Sequence, residues 1–423
     1  MYATTRLSFG CQEGAGLTAR HRRPGLIEAP ENPVTARGRR HWSELAYNAP
    51  VASAGELRTP DPIWVGDMQI RLLAPSESAR LGDAVRAVYG ETYPVLWTYD
   101  ADEVARRISA GLLISAIAET AEGELLCHSG LSLNAPDDVI GHGGQALTLP
   151  AARGRHIFTT VKRYLVDWAT KLGLVGMYSE ATAAHPYSQE ALLHLGGHET
   201  GFMIGFIPDS VDNNAAAGSA VGRQSAALFF LRMGPGRERL LYAPHRHRQI
   251  VHDTIEICGS PSRLAEVSAR PDLPPTTQLH IENDPGDNVA VVTVSQPGDD
   301  LTSRVDGERS RLFAQGVDAL YVDLPLDRPE SEHVGDALEE LSLTYSGVFP
   351  NNQAAGDVLR LQCLRNATAW CHDVAVASPH GAALLEYVIA DMEAAGQAVA
   401  RTPAQGAAGG GSPDNSVPLV AVR

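Results

Sequence analysis

The chain has 423 residues, 44% of them apolar, and a formal charge of −16 at pH 7, which is material for two domains of ordinary size with tails. An excess of acid this large opposes general binding to nucleic acid or to anionic membranes. No apolar run is long enough to span a bilayer and the N-terminal segment has no apolar core of the secretion-signal kind, so a cytoplasmic protein is expected; the five scattered cysteines, Cys11, Cys127, Cys258, Cys363 and Cys371, show no CxxC spacing and suggest neither a disulfide framework nor a zinc site.

Residues 1–65 carry Arg6, Arg20, Arg22, Arg23, Arg37, Arg39 and Arg40 among Gly, Pro, Ala and Ser with no apolar period, and read as a disordered basic segment. From Met68 the pattern changes. MQIRLLA is a short strand. SESARLGDAVRAVYG is an amphipathic helix with Ser76 as its N-cap, and DADEVARRISAG is a second helix capped by Asp100 or Asp102. LLISAIAETAEGELLCHSGLSLN reads as two strands that turn near Glu122 and Gly123. A strand from Gln145 to Leu149 then runs into a basic loop, Pro150 to His156. After it, Ile157, Phe158, Val161, Leu165, Trp168, Ala169 and Leu172 fall on one face of a long helix that Gly173 stops. A further strand follows, then the short helix SQEALLHLGG and the strands ETGFMIGFIP and SAALFFLRM, parted by a polar loop from Asp209 to Gln224.

A helix that opens inside a basic, glycine-containing loop presents free backbone N–H groups and the positive end of its dipole to an anion, and a pyrophosphate fits that description. The order of elements is strand, two helices, three strands, helix, strand, helix, two strands. With LTLPAARGRHIF standing where a strand meets an R/Q-x-x-G-x-G/A loop, it resembles the GCN5-related N-acetyltransferase (GNAT) family over about residues 66–235. TAAHPYSQEALLHLGGHETG is similar to a subgroup with an HPxSQ segment after the fifth strand. Arg153, Gly154 and Arg155 follow the family's loop, whereas His156 and Phe158 stand at its two small positions.

The resemblance implies an α+β fold, a mixed and mostly antiparallel sheet flanked by helices. It also implies acetyl-CoA or another acyl-CoA as co-substrate, with no metal. Acyl transfer from a thioester to an amine needs a deprotonated nucleophile, a donor to the developing oxyanion and a proton for the thiolate. The oxyanion donor is then a backbone N–H near Leu147, Thr148 or Leu149. The phosphates fall to Arg153, Gly154 and Arg155, to the loop and helix start at His156, Ile157 and Phe158, and to the hydroxyls of Thr159 and Thr160. Glu180, on the strand beside the thioester, is the candidate base, and a partner for an arginine is its alternative reading. His185 stands where many relatives place an asparagine that touches the cofactor; it is a second titratable candidate or a helix-capping residue. The tyrosine that usually protonates the thiolate is replaced by Leu192, with Tyr187 or Tyr178 as substitutes. Ser188 and Gln189 are first-turn polar residues of the next helix, Ser188 also a donor contact.

The second half is expected to repeat the first, with chance matching of short segments as the alternative. Gly173 and Gly316, Tyr178 and Tyr321, Glu180 and Asp323 match at one offset of 143, and Gly205 and Gly347, Pro208 and Pro350 at 142, the mark of a duplication. A helical linker over 236–269 and a degenerate second copy over 270–400 are expected, with LHIEN and VAVVTV as a hairpin, LTSRVDGERSRLFAQG as the long helix and DVLRLQCL as the last strand. The second copy has SQPGDD where the phosphate loop should be basic, and its carboxylates would repel the cofactor. Residues 401–423 read as a flexible tail. No G-x-S-x-G, HExxH or GxxxxGK[ST] pattern is present. The cluster HRHR at His245–Arg248 decorates a helix start rather than holding a cation. The expected partner is a small-molecule or peptide amine, not nucleic acid or membrane, with homodimerisation left open. A non-catalytic sensor or assembly protein of the same fold is the rival reading.

Overall fold

The computed structural model describes residues 59–155, 157–209, 211, 222–265, 271–350, 356–366 and 374–396. The basic N-terminal segment before 59, most of the 209–224 loop, His156, Cys11, Cys371 and the tail from 401 lie outside the described residues. The chain divides into two compact units, residues 1–88 with 95–177, and residues 89–94 with 178–423. Among the described residues no helix is long and apolar enough to cross a membrane.

In the first unit β1 (Ile63–Val65), β2 (Met68–Leu72), α1 (Ala79–Tyr89) and α2 (Ala101–Ser109) precede β3 (Leu113–Thr120), β4 (Leu125–Ser132), β5 (Ile140–Thr148) and α3 (Ile157–Lys171). The five strands lie in sequence order and pair antiparallel. α3 packs Val161, Leu165, Trp168 and Ala169 onto β3 and β4, each large side chain contributing about 1.5–3 kcal/mol by leaving water. It ends where Gly173 takes a φ of +95° and the Leu174 N–H returns to the Ala169 carbonyl, a left-handed stop that glycine adopts without strain. Asp100 caps α2, its Oδ1 accepting from the N–H groups of Asp102 and Glu103. Ser76 is not the cap expected for α1. Residues Pro75–Glu77 form a single 3₁₀ turn, and Glu77 closes it by accepting from the Ala74 N–H at 3.1 Å while Arg71 grips its carboxylate.

In the second unit the elements are β6 (Gly176–Thr182, of which Tyr178–Thr182 belong here), α4 (Tyr187–His194), β7 (His198–Ile207), β8 (Gln224–Arg232), β9 (Arg239–Leu241), α5 (Arg248–Ile257) and β10 (Ser262–Leu264). There follow β11 (Gln278–Asp284), β12 (Val289–Gln296), α6 (Leu301–Ala314), β13 (Ala319–Pro325), α7 (Glu330–Glu339), β14 (Thr344–Phe349), β15 (Val358–Leu364) and α8 (Pro379–Ala394). The strands of its sheet run β6-β8-β7-β14-β15-β13-β12-β11. The first six form a palindrome: β6, β8 and β7 on one side are mirrored by β13, β15 and β14 on the other. Bulges fall at matching places, skipping Thr200 in β7 opposite β8 and Ser346 in β14 opposite β15.

That correspondence aligns Gly201 with Gly347, where the sequence alone had matched Gly205 with Gly347. A bulge adds a residue to one strand and leaves no trace in composition, so the two alignments differ. At the seam β7 meets β14 so closely that a Cβ on Gly201 would lie 2.3 Å from Gly347 Cα, and one on Gly347 would lie 2.8 Å from Gly201 Cα. Glycine is required at both positions.

The charged centre of this unit is Arg360 of β15, buried and held bidentate by Asp323 of β13 at 2.7 and 2.8 Å, with the Phe349 ring 4.4 Å beneath it. Burial opposes the guanidinium charge, and Asp323 outweighs it, so Arg360 stays charged. Asp323→Ala would leave that cation buried and unpaired, which costs about 3–5 kcal/mol. Urea unfolding is expected to show a loss of that size, and an unchanged midpoint would mean the pair contributes nothing.

Candidate active site

The end of β5, the loop after it and the first turn of α3 meet in the first unit. β5 carries a bulge: His128 of β4 faces Leu147 and Gly130 faces Gly144, so Ser129 alone opposes Gln145 and Ala146. Gln145 takes a φ of +45°. Its carbonyl lies 2.6 Å from Nδ1 of His128, whose Nε2 lies 2.6 Å from Ser115 Oγ. Burial pushes the His128 pKa down to about 4, so the ring is neutral; Nδ1 then donates to Gln145 and Nε2 accepts from Ser115. His128 is thus the pin of the bulge. No motif marks it, but a histidine in the middle of an apolar strand signals a polar group that has to be satisfied there.

Past the bulge the Leu149 N–H donates to the Leu126 carbonyl at 3.0 Å. Alternation along an antiparallel strand sends the Leu147 N–H the same way and turns the Thr148 N–H to the opposite edge of β5. Leu147 is buried, and Thr148 Oγ1 touches Cys127 Sγ at 3.5 Å.

Pro150–Ala152 make one 3₁₀ turn before the loop opens. Gly154 has a φ of +80°, and a Cβ built there meets nothing within 4 Å. The Arg153 side chain is exposed and has no ion-pair partner among the described residues, while Arg155 reaches Asp67 at 2.9 Å. That second pair is exposed on both sides and of the kind worth less than about 1 kcal/mol. His156 lies outside the described residues. Ile157, the first residue of α3, is buried, Phe158, Thr159 and Thr160 are half-buried, and the first turn carries no acidic residue. The result is an open glycine corner leading to an unopposed positive helix end.

The corresponding loop of the second unit is closed. A Cβ on Gly298 would collide with the backbone of Pro274, Thr276 and Thr277 at 2.5–2.8 Å. Asp300, just before α6, accepts from the Thr277 N–H at 2.6 Å, and that bond holds its carboxyl below the usual range. The space and the charge that an anion would need are both taken.

The remaining candidates belong to the second unit. Glu180 in β6 is half-buried, and its charge acts on the Arg360 guanidinium. The rings of His185 and Tyr187 lie tilted at 34° to each other at the start of α4, centres 5.0 Å apart, with Tyr187 60% exposed. Ser188 Oγ is buried without a hydrogen-bond partner among the described residues. Gln189 ties α4 to the chain before α8, its Nε2 donating to the carbonyls of Thr182 and Ala375 and its Oε1 accepting from the Ala377 N–H. Leu192 is buried, and Tyr178 meets the Phe349 ring edge-on at 5.6 Å. In the HRHR cluster, His247 is fully buried against Tyr387 at 2.8 Å, Arg246 pairs with Asp391 and His245 with Asp336. Its members fasten the start of α5 to α7 and α8.

No protein-family model matches the chain, and no curated protein matches it in sequence. Among solved structures it is similar to a ribosomal-protein-S5-alanine acetyltransferase from Vibrio fischeri, at 14% identity over 41% of this chain and 97% of that one, with a TM-score of 0.33. A phosphinothricin acetyltransferase of the GNAT superfamily from Sinorhizobium meliloti, in complex with AcCoA, is similar at 19% identity over 40% and 90%, TM-score 0.32. A dodecameric spermidine N-acetyltransferase from Vibrio cholerae is similar at 14% over 40% and 95%, TM-score 0.32. At this level of identity and superposition the likenesses carry no argument about what this chain binds.

The left-handed corner at Gly154 has a measurable cost. Gly154→Ala meets open space, so it is expected to destabilise only through the backbone, by about 1–2 kcal/mol, and Gly154→Asn by less. Equal unfolding midpoints for glycine and alanine would show that the corner is not left-handed.

Proposed function

We propose that the chain is an acyl-CoA-dependent N-acyltransferase, with acetyl as the default acyl group and a small-molecule or peptide amine as acceptor. In this reading residues 66–235 form a GNAT domain and 270–400 a degenerate copy. The observation that carries it is the corner before α3, where Arg153 without an ion-pair partner among the described residues, the open space at Gly154 and an acid-free helix start together suit a diphosphate. The recurrence of strand order and bulges in the second unit supports the duplication. Filling of the second corner by Asp300 and residues 274–277 supports a single cofactor per chain.

The mechanism follows from the roles required. Arg153, the first-turn N–H groups of α3 and the hydroxyls of Thr159 and Thr160 hold the diphosphate, with Arg155 adding charge when it leaves Asp67. Thr148 offers the oxyanion its N–H, which points away from β4, since Leu149 spends its own on Leu126. The acceptor amine attacks the thioester carbonyl, the C–N bond forms and the C–S bond breaks. Glu180 takes the amine's proton, directly or through water, with His185 as the second base. The thiolate leaves and is protonated by solvent or by the exposed Tyr187.

The rival reading is a non-catalytic sensor or assembly protein of the same fold that binds acyl-CoA or a partner. Buried Leu192 at the position of the family's usual acid favours it. Titration with acetyl-CoA followed by thiol release across a panel of amines separates the two: binding with turnover supports the enzyme, binding without turnover in any amine the sensor, and no binding ends the acyl-CoA reading and leaves only the fold.

Arg153→Glu is expected to weaken CoA binding by well over tenfold, because a reversed charge loses a strong hydrogen bond and adds repulsion. Unchanged affinity would remove the phosphate assignment. Glu180→Gln is expected to lower turnover far more than donor affinity. Normal turnover at every pH would end the assignment of the base.

A further inference from the structure

Lys162 lies in the second turn of α3 and is 2% exposed. Its Nζ stands 5.6 Å from the centre of the Phe158 ring, one turn nearer the helix start, so the side chain runs back toward the positive end of the helix. No carboxylate among the described residues pairs with it. A buried ammonium without a counter-charge is expensive, and a ring face returns only part of what an anion would. Leucine or methionine would fill the same space without that cost, as Val161 and Leu165 beside it do.

We infer that Lys162 is the buried counter-charge for the diphosphate of the acyl donor, reaching it from behind the first turn of α3 while Arg153 meets it from the solvent side. The inference rests on the acyl-CoA reading and extends it to a residue outside the loop motif. It also gives Phe158 a purpose. Where the family's loop has a small residue, this chain has a ring that covers an ammonium.

The pH dependence follows in sign. Burial pulls the Lys162 pKa down to about 8 from its ordinary 10.5. Between those values the unfolded chain holds a proton that the folded chain has lost, so stability rises with pH across that window. Below about pH 8 the full cost of burying the charge is in force. An anion beside the amine favours its charged form, so binding should draw in protons just above pH 8.

The test is calorimetric titration of the full chain with CoA at pH 8.5 in two buffers of different ionisation enthalpy, for the wild type and Lys162→Met. The wild type is expected to bind with net proton uptake. Lys162→Met is expected to bind at least tenfold more weakly without that uptake, while melting at pH 7 at the same or a higher temperature, which shows that it folds. A wild type that binds CoA beside a Lys162→Met variant with equal affinity and equal proton uptake would overturn the inference and leave the acyl-CoA reading standing. A wild type that does not bind CoA would overturn both.

Discussion

Positive charge gathered at the start of α3, with no carboxylate among the described residues paired to Arg153 or Lys162, is the constraint from which the rest follows. The helix dipole, the exposed Arg153 guanidinium and the buried Lys162 ammonium all bear on the same turn, and its first residues include no acid. Elsewhere the protein closes its charges inwardly: Asp100 caps α2, Glu77 and Glu119 surround Arg71, and Asp323 grips Arg360. The proposed anion site sits at a helix start where the described side chains supply no such partner.

The second unit supplies the contrast. It lays out β11 to β15 and their helices in the order of β4 to β8, repeats the bulge of β7 in β14, and brings those two strands together where only glycine fits. Yet its loop is packed against residues 274–277 and capped by Asp300, and its counterpart of Glu180, Asp323, is committed to a buried arginine. The same order of elements therefore accommodates an open glycine corner at Gly154 and a packed one at Gly298. The difference lies in a handful of side chains at one corner, not in the strand order.

Much of this could be read from residues alone. The apolar stripe of α3, the β3–β4 hairpin, the Asp100 cap and the acidic loop before α6 are local patterns, and local patterns survive in sequence. The start of β5, in the glycine-rich run Ile140–Gly144, has no alternating period, so the strand is legible only from Gln145. Ser76 resembles a cap by type, but Arg71, brought in from β2, holds Glu77 in that place instead. The bulge at Gln145 and its pin His128, the register of Gly201 against Gly347, and the Asp323–Arg360 pair all depend on strands meeting across distance in the chain. Lys162 was the subtlest case, since a lysine on a helix reads as solvent-facing until packing shows otherwise.

The central claim is that one diphosphate-bearing thioester rests at the start of α3. Equilibrium dialysis of the intact chain against labelled acetyl-CoA, with 3′-phosphoadenosine 5′-diphosphate as competitor, tests it most directly. The account predicts saturable binding of one molecule per chain that the competitor displaces. Binding of two per chain would contradict the sealed second corner, and no saturable binding would contradict the site itself.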